Sequence, residues 1–448
     1  MDRISRRGLL SGAAAIAAAP AAFAAKSPSD KLNIAGVGVG AMGANYLADC
    51  ESENIVALCD VDENYAAKTF ARYPKAVRYR DFREMLAKEQ GIDAVIIGTP
   101  DHTHASVAMA AMKLGKHVYC AKPMTHTIEE ARLLARTAKE KNVATQMSVQ
   151  SCASDPALTT AEWVQSGVLG PVREVHVWTD RPVWPQGVDR PADTPPVPKG
   201  FDWQLWLGPA PERPYNPIYH PFNWRGWTDF GTGALGDMGC HTLHVIFTAL
   251  KLGLPIAVQA STSFQMVPAT ADKADQSWMR ARKVKHAETF PDASIVTWDF
   301  PAREKQPPAR VHWYDGGIRP ARPLGMDASA TLDGDGLMFV GDLGVLVSGF
   351  TGGVKFLSAP NARDFVPPQK TLPRSIGHYK EWIAAAKGGK PANCNFEFGA
   401  ILTEVALLGV IAQRTGKSLA WDPDAGEFTN NDAANKLLKM PYRPGWSL

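Results

Sequence analysis

Two side chains suited to moving a proton stand four residues apart in this chain. Asp237 and His241 fall in the segment 231–241 (GTGALGDMGCH), which reads as the opening of a helix that reaches Leu252 and is closed by Gly253. That spacing puts both on one helix face. An imidazole titrates near neutral pH, and a neighbouring carboxylate can fix its tautomer. His241 can therefore take the proton of a hydroxyl whose carbon gives up a hydride, with Asp237 as its partner or as an acceptor for a substrate hydroxyl. Asp237, His241, His244 and His220 could also ligate a metal, but no HExxH-like spacing is present and no metal is expected. A capping aspartate beside a hydrogen-bonded core histidine is the purely structural reading.

A hydride needs a carrier, and residues 32–60 offer a place for one. Leu32–Val37 reads as a short buried strand, Gly38, Gly40 and Gly43 form a GxGxxG turn, and a helical stretch runs to Asp49. A second apolar strand, Ile55–Asp60, then ends in an acid. Strand, turn, helix and an acid about 20 residues on make a dinucleotide-binding pattern. Gly38 allows the tight turn, Gly40 lets backbone approach a pyrophosphate, and Gly43 lets helix and strand pack closely. The helix N-terminus at Ala41 and Met42 supplies N–H donors for the phosphates. Asp60 is expected to accept from the adenosine ribose hydroxyls. Its charge would repel a 2′-phosphate, which favours NAD over NADP. FAD uses a similar turn, and a ligand-free glycine turn is the structural alternative.

The β/α alternation continues. Ala94–Gly98 is a strand that ends at Thr99, Pro100, Asp101, His102, Thr103 and His104. Lys116–Cys120 is a strand that ends at Ala121, Lys122 and Pro123. Ligands in such sheets bind beyond the carboxyl ends of the strands, where both turns fall. A helix over 127–141 opens with a capping box, Thr127 and Glu130, and Ala144–Met147 is a further strand.

The GxGxxG turn, Asp60, the TPDHTH segment 99–104 and the Lys122-Pro123 turn together resemble the Gfo/Idh/MocA oxidoreductases, in order and spacing over most of the chain. The resemblance implies an N-terminal Rossmann doubly wound domain and a C-terminal α/β domain with a large open, mostly antiparallel sheet. It also implies a tightly held nicotinamide cofactor and substrates that are sugars or polyols. Lys122, Asp237 and His241 match the Lys, Asp and His that relatives use: Lys122 as electrostatic stabiliser of the forming alkoxide, His241 as general base. Thr99, Pro100, His104, Lys122 and Gln150 are cofactor positions on the same ground. The chain departs from the family at Ala121, where the turn usually reads Glu-Lys-Pro, and at Val149, where many relatives have Asn before Gln.

The implied divisions are a signal segment 1–25, a Rossmann domain 31–150, a substrate and oligomerisation domain 151–425 and a tail 426–448. Between 178 and 230 the chain is rich in Pro and Trp with little periodicity, and holds six of the 13 tryptophans. Aromatic faces beside Arg, Asn and His suit sugar rings, so Tyr219, His220 and Arg225 are candidate substrate contacts. The same rings could equally staple a long loop to the domain. Strands resume at 257–261, 294–300, 310–314, 337–340 and 345–348, and amphipathic helices at 375–387 and 398–414. An open sheet of this size needs cover for its free face, which points to a homo-oligomer.

The segment Ser5-Arg6-Arg7-Gly8-Leu9-Leu10, an alanine-rich stretch and an A-x-A site near residue 24 resemble an export signal of twin-arginine type, with a plain secretory signal or a frayed N-terminal helix as the alternatives. That resemblance implies the twin-arginine machinery as a partner and a periplasmic destination. No later run is expected to reach membrane-spanning length, so no stable membrane anchor is expected. With 48 Lys plus Arg against 45 Asp plus Glu, and three of those arginines in the signal, the remainder is nearly neutral. No basic patch interleaved with aromatics suggests nucleic acid. The six cysteines have no paired spacing and are expected to be buried thiols.

Free NAD is scarce outside the cytoplasm, so an exported enzyme of this kind must retain its cofactor and turn it over in place. The leading expectation is therefore an NAD-bound oxidoreductase acting on a sugar or glycoside carbinol. An NAD-dependent glycosidase, lyase or epimerase working through transient oxidation at C3 is the alternative. A sugar-binding protein on a dehydrogenase scaffold is the third.

Overall fold

The computed structural model describes residues 30–267, 282–303, 306–349, 353–357 and 366–448. The expected signal, 1–25, lies outside the described residues. Six short strands, β1 (Asn33–Val37), β2 (Asn54–Cys59), β3 (Val77–Tyr79), β4 (Ala94–Ile97), β5 (His117–Cys120) and β6 (Thr145–Met147), form a parallel sheet in the order β3-β2-β1-β4-β5-β6. Helices α1 (Ala41–Ala48), α2 (Ala67–Arg72), α3 (Phe82–Lys88), α4 (Asp101–Lys113) and α5 (Ile128–Glu140) make the crossovers. Every residue of β4 is buried, as expected of a strand covered on both faces. The strand order reverses between β1 and β4, so a crevice opens beyond their carboxyl ends, at Gly38 and Thr99. The Thr127–Glu130 capping box forms at α5.

The second sheet has nine strands: β7 (Val172–Trp178), β8 (Ala257–Thr262), β11 (Ser294–Phe300), β12 (Ala309–Tyr314), β13 (Gly336–Gly341), β14 (Gly344–Gly349), β15 (Val354–Leu357), β16 (Leu419–Asp422) and β17 (Glu427–Phe428). Their order is β15-β14-β13-β7-β12-β11-β8-β16-β17, and a separate ribbon pairs β9 (Gln265–Val267) with β10 (Arg282–Val284). Only the β7–β12 contact is parallel within the large sheet. Val175, Val177, Val311 and Trp313 point into the core, under α6 (Asp155–Gln165), α8 (Gly233–Leu250) and α10 (Phe396–Thr415). Alternate residues Glu174, His176, Arg310 and His312 stay partly exposed on the other face. The remaining helices are α7 (Trp203–Leu207), α9 (His378–Ala386) and α11 (Asp432–Asn435).

Four details differ from the sequence expectations. Lys251, in the left-handed region with φ 50°, ends α8, two residues before Gly253. Helix α10 is 20 residues long and apolar enough to cross a membrane, and most of it is buried between α5, α8 and the second sheet. Helix α9 packs its Trp382 and Ile383 with Ile34, Leu58 and Tyr119, completing a face of the first sheet although it lies far along the chain. The stretch beyond 426 contains the edge strand β17, with Phe428 buried, and its Trp446 returns to the first domain. All six cysteines are buried thiols.

Candidate active site

A cavity of about 750 Å³ is lined by residues of both domains, among them Gly38, Asp60, Lys122, Asp237, His241 and Trp446. The cradle follows from the glycines. Gly38 has φ +73°, where L side chains are strained, and a Cβ there would come 2.6 Å from the Thr99 nitrogen. A Cβ at Gly43 would lie 1.9 Å from the Gly38 carbonyl, so only glycine lets α1 close on the turn. Ala41, Met42, Thr99 and Pro100 line the cavity beside them, and the buried Thr99 hydroxyl has no hydrogen-bond partner among the described residues. A tight turn, a helix N-terminus and a hydroxyl awaiting a partner fit the phosphates of a dinucleotide.

Asp60 lines this cavity, but its carboxylate also serves the turn itself. Oδ2 accepts from the N–H groups of Val39 (2.8 Å) and Gly40 (3.3 Å), and Oδ1 from Asp62 (2.9 Å). Burial pushes its pKa up, against those backbone donors. A segment of the second domain crosses here. The Glu63 N–H donates to Gly200 O (3.0 Å), the Asp202 N–H to Val61 O (2.8 Å), and Asn64 Nδ2 to Lys199 O (2.8 Å).

His220 joins this crossing and not the reactive group. Its Nε2 lies 2.9 Å from Asp62 Oδ2, its ring stacks on Phe201 at 4.5 Å, and the edge of Tyr65 meets it. Burial pushes Asp62 up, but His220 and the N–H groups of Tyr65 and Asn64 outweigh it and hold the carboxyl below its usual range. His220 still lines the cavity, with its Nε2 engaged by Asp62. Tyr219, by contrast, is corrected. It is 1% exposed, packed between Trp203 and Trp227 with the Arg213 guanidinium over it, and it does not line the cavity. It staples the aromatic loop to the domain.

Lys122 Nζ reaches across the domains to Asp237 Oδ1 (2.6 Å) and to the Asp237 carbonyl (2.5 Å). The Lys122 N–H donates to Ser148 Oγ, which also receives the Tyr46 hydroxyl. Arg225 Nε and Arg181 Nε stand 3.4 and 3.7 Å from the same carboxylate. Burial alone would raise Asp237, but Lys122 and Arg225, then Arg181, hold it at about 2. One turn on, His241 is half-buried in the same wall. Burial pushes its imidazole down to about 3, Lys122 adds to the shift, and Asp237 opposes it. The expectation of a histidine titrating near neutrality is therefore corrected: the ring enters neutral and able to accept a proton, but its acid form is costly beside Lys122. Asp237 is turned to Lys122 and the arginines, not placed as an N-cap.

Gln150 lines the cavity and donates to the Tyr379 hydroxyl (3.2 Å). His104 is fully buried, its ring nitrogens 2.8 Å from the Thr99 and Pro123 carbonyls, so it joins the two strand-end turns under the cavity. Ala121 faces the cavity, whereas Val149 is buried in the core. Sequence reasoning missed several residues here. Arg181 shares no motif with Asp237. Trp446 sits between Phe82 and the Arg83 guanidinium (4.5 Å) at the far end of the chain. Asp101, beneath the site, accepts from Thr232 (2.6 Å), and burial raises it to about 7.

Residues 32–149 match the model of an oxidoreductase family with an NAD-binding Rossmann fold, and residues 162–283 with 344–448 match that family's C-terminal alpha/beta domain. The chain belongs to the Gfo/Idh/MocA family. It therefore carries the NAD-binding Rossmann domain of that family. Among curated Gfo/Idh/MocA-related proteins, levoglucosan dehydrogenase of Pseudarthrobacter phenanthrenivorans is 24% identical over 42% of this chain and 40% of its own length. Alpha-N-acetylgalactosaminidase of Bacteroides fragilis is 34% identical over 34% of this chain and 38% of its own. The chain thus aligns with well under half of these relatives. The solved WlbA dehydrogenase from Bordetella pertussis, in complex with NADH and UDP-GlcNAcA, superposes with a TM-score of 0.59 at 16% identity, over 88% of this chain and 98% of that one. The aldose-aldose oxidoreductase from Caulobacter crescentus gives 0.55 at 19%, over 87% and all of its chain. These likenesses establish the two-domain fold.

Proposed function

We propose that this protein is an exported oxidoreductase that retains NAD and oxidises or reduces a carbinol of a sugar or glycoside. One observation carries the reading: Lys122, Asp237 and His241, from different domains, meet in a cavity that the glycine cradle also lines. Gly38, Gly40, Gly43 and the N-terminus of α1 would hold the diphosphate, and Asp60 with the 199–202 crossing would enclose the ribose end. Bound NAD supplies a hydride acceptor. Lys122 Nζ places positive charge where the carbinol oxygen becomes negative. Asp237, ionised throughout the working range, fixes that ammonium in place. The neutral His241 ring takes the hydroxyl proton. Trp184, Phe222 and Trp224 form an apolar wall for the C–H face of a pyranose and keep water out.

The backbone bonds of Gly200 and Asp202 to Glu63 and Val61 support slow release of the cofactor, because the ribose end cannot open without breaking them. The twin-arginine segment 5–10 supports export to the periplasm, and the free face of the nine-stranded sheet supports assembly of identical subunits. A second reading, transient oxidation followed by cleavage of a glycoside, is favoured by the 34% identity to a galactosaminidase over 164 residues. The discriminating experiment incubates purified protein with a panel of pyranosides and identifies the product. A ketone or alditol supports net redox, a freed aglycone the second reading. Binding with no product of any kind would reduce the protein to a sugar binder.

A further inference from the structure

Charges on the reactive wall of the cavity do not balance. Asp237 is shared by three cations, and Lys122 takes the short bond (2.6 Å), leaving the Arg225 and Arg181 guanidiniums at 3.4 and 3.7 Å. Those two distances lie at or beyond the limit of a hydrogen bond. Among the described residues neither arginine pairs with another acid. Asp335, also on the wall, accepts from the Thr179 hydroxyl. Asp101 is buried, receives the Thr232 hydroxyl and titrates near neutrality. Lys122, Arg225 and Arg181 therefore share the one carboxylate of Asp237, while Asp335 and Asp101 are each engaged by a hydroxyl.

Arg225 is also held in place. The Arg225 guanidinium lies 4.2 Å from the centre of the Trp224 ring and 4.6 Å from that of Phe222, and its Nη1 donates to the Phe222 carbonyl (3.2 Å). Arg181, with 38% of its side chain exposed against 19% for Arg225, opens onto the cavity. Next to Arg225, Phe222 leaves 43% of its surface uncovered. Two guanidinium forks that share one carboxylate with Lys122, one of them fixed on aromatic rings and the other open to the cavity, match a ring that bears a carboxylate, since Arg binds that planar anion in a bidentate way.

Building on the proposed sugar oxidoreductase activity, we infer that Arg181 and Arg225 bind an anionic group of the substrate, and that this substrate is a sugar acid, a hexuronate or its glycoside. Lys122 is left for the reacting oxygen, and the added carboxylate offsets the excess positive charge of the wall.

The test uses the NAD-loaded protein. D-Glucuronate and D-galacturonate are titrated by calorimetry against D-glucose and D-galactose, with glucose 6-sulfate as a further arm. The uronates should bind at least about tenfold more tightly than their neutral partners. Arg181→Met should reduce uronate affinity about tenfold and neutral-sugar affinity much less, and Arg181→Lys should restore only part of the loss because it returns the charge without the fork. Neutral sugars binding as well as the acids overturn the inference. So does an Arg181→Met variant that weakens both classes equally, or Arg181→Met and Arg225→Met variants that shed NAD while sugar preference is unchanged, since the forks then serve the cofactor phosphates. Tighter binding of the sulfate ester than of glucuronate overturns the sugar acid. Product analysis separates the two claims: uronate binding without turnover removes the oxidoreductase and leaves the anion site, whereas turnover of neutral sugars without uronate binding does the reverse.

Discussion

Replacing Lys122 with Met keeps the unbranched side chain and removes the ammonium that sits 2.6 Å from Asp237. The cost can be bounded from the structure. Asp237 is held at about 2, below its ordinary 3.8, which corresponds to roughly 2–3 kcal/mol favouring its ionised form. Breaking a buried pair from one side typically costs ~3–5 kcal/mol. Arg225 and Arg181 remain, so the loss in Lys122→Met should sit at the low end, about 2–3 kcal/mol. Adding Asp237→Asn removes the stranded carboxylate, and the double variant should be more stable than Lys122→Met alone, with a coupling of at least about 1 kcal/mol. Turnover should fall about 100- to 1000-fold in Lys122→Met and not recover in the double variant. The acid response gives a further check. A depressed carboxyl contributes stability above pH 3.8 that is lost as pH falls towards 2, and that loss should shrink without Lys122, since only Arg225 and Arg181 then oppose burial. Urea unfolding of the four proteins at one fixed NAD concentration supplies the cycle. Single effects that add within about 0.5 kcal/mol would refute a tightly coupled, desolvated pair.

Gly43→Ala should abolish nucleotide retention, because its methyl would meet the Gly38 carbonyl at 1.9 Å; protein that folds and still carries NAD would show that the cradle is not the binding turn. Tyr219→Ala should cost about 3–5 kcal/mol in unfolding free energy while KM for the sugar is unchanged, since the ring lies in the aromatic core; a raised KM in folded protein would return Tyr219 to the substrate site. Burial pushes His102, His241 and His378 down to about 3 and His104, His126 and His244 to about 4. These depressed groups stabilise the folded state fully above pH 6.5 and lose that contribution as pH falls towards 4 and 3, so thermal midpoints should drop steeply below pH 6.5. A midpoint flat down to pH 4 would show that these rings are solvated.

Five of the six strands of the first sheet were legible because each is a local pattern, an apolar run, a glycine turn or a capping box leaving its mark within a few residues; β3, three residues long and mostly exposed, carries no such run and was missed. Asp237 and His241 were legible as a pair for the same reason, being one helical turn apart. What escaped notice depends on contacts between distant segments. That Asp60 caps its own turn requires knowing how β1 and β2 pair. That His220 meets Asp62, 158 residues away, depends on where the aromatic loop crosses the first domain. Tyr219 and His220 are neighbours in a segment without periodicity, so nothing local said which would be buried. Arg181 and Trp446 reach the cavity from the end of β7 and the end of the chain, and helix α9 completes the first sheet from residue 378 onward. The fall of His241 to about 3 reflects its burial and the nearby ammonium, and neither can be read from the spacing.

The proposed chemistry requires a dinucleotide held in this cleft. Freshly purified protein, freed of loose nucleotide by gel filtration and then denatured, should release NAD or NADH close to one equivalent per chain when the supernatant is analysed by mass spectrometry. A supernatant with no nicotinamide nucleotide, from protein that also takes up none when incubated with NAD, would contradict it.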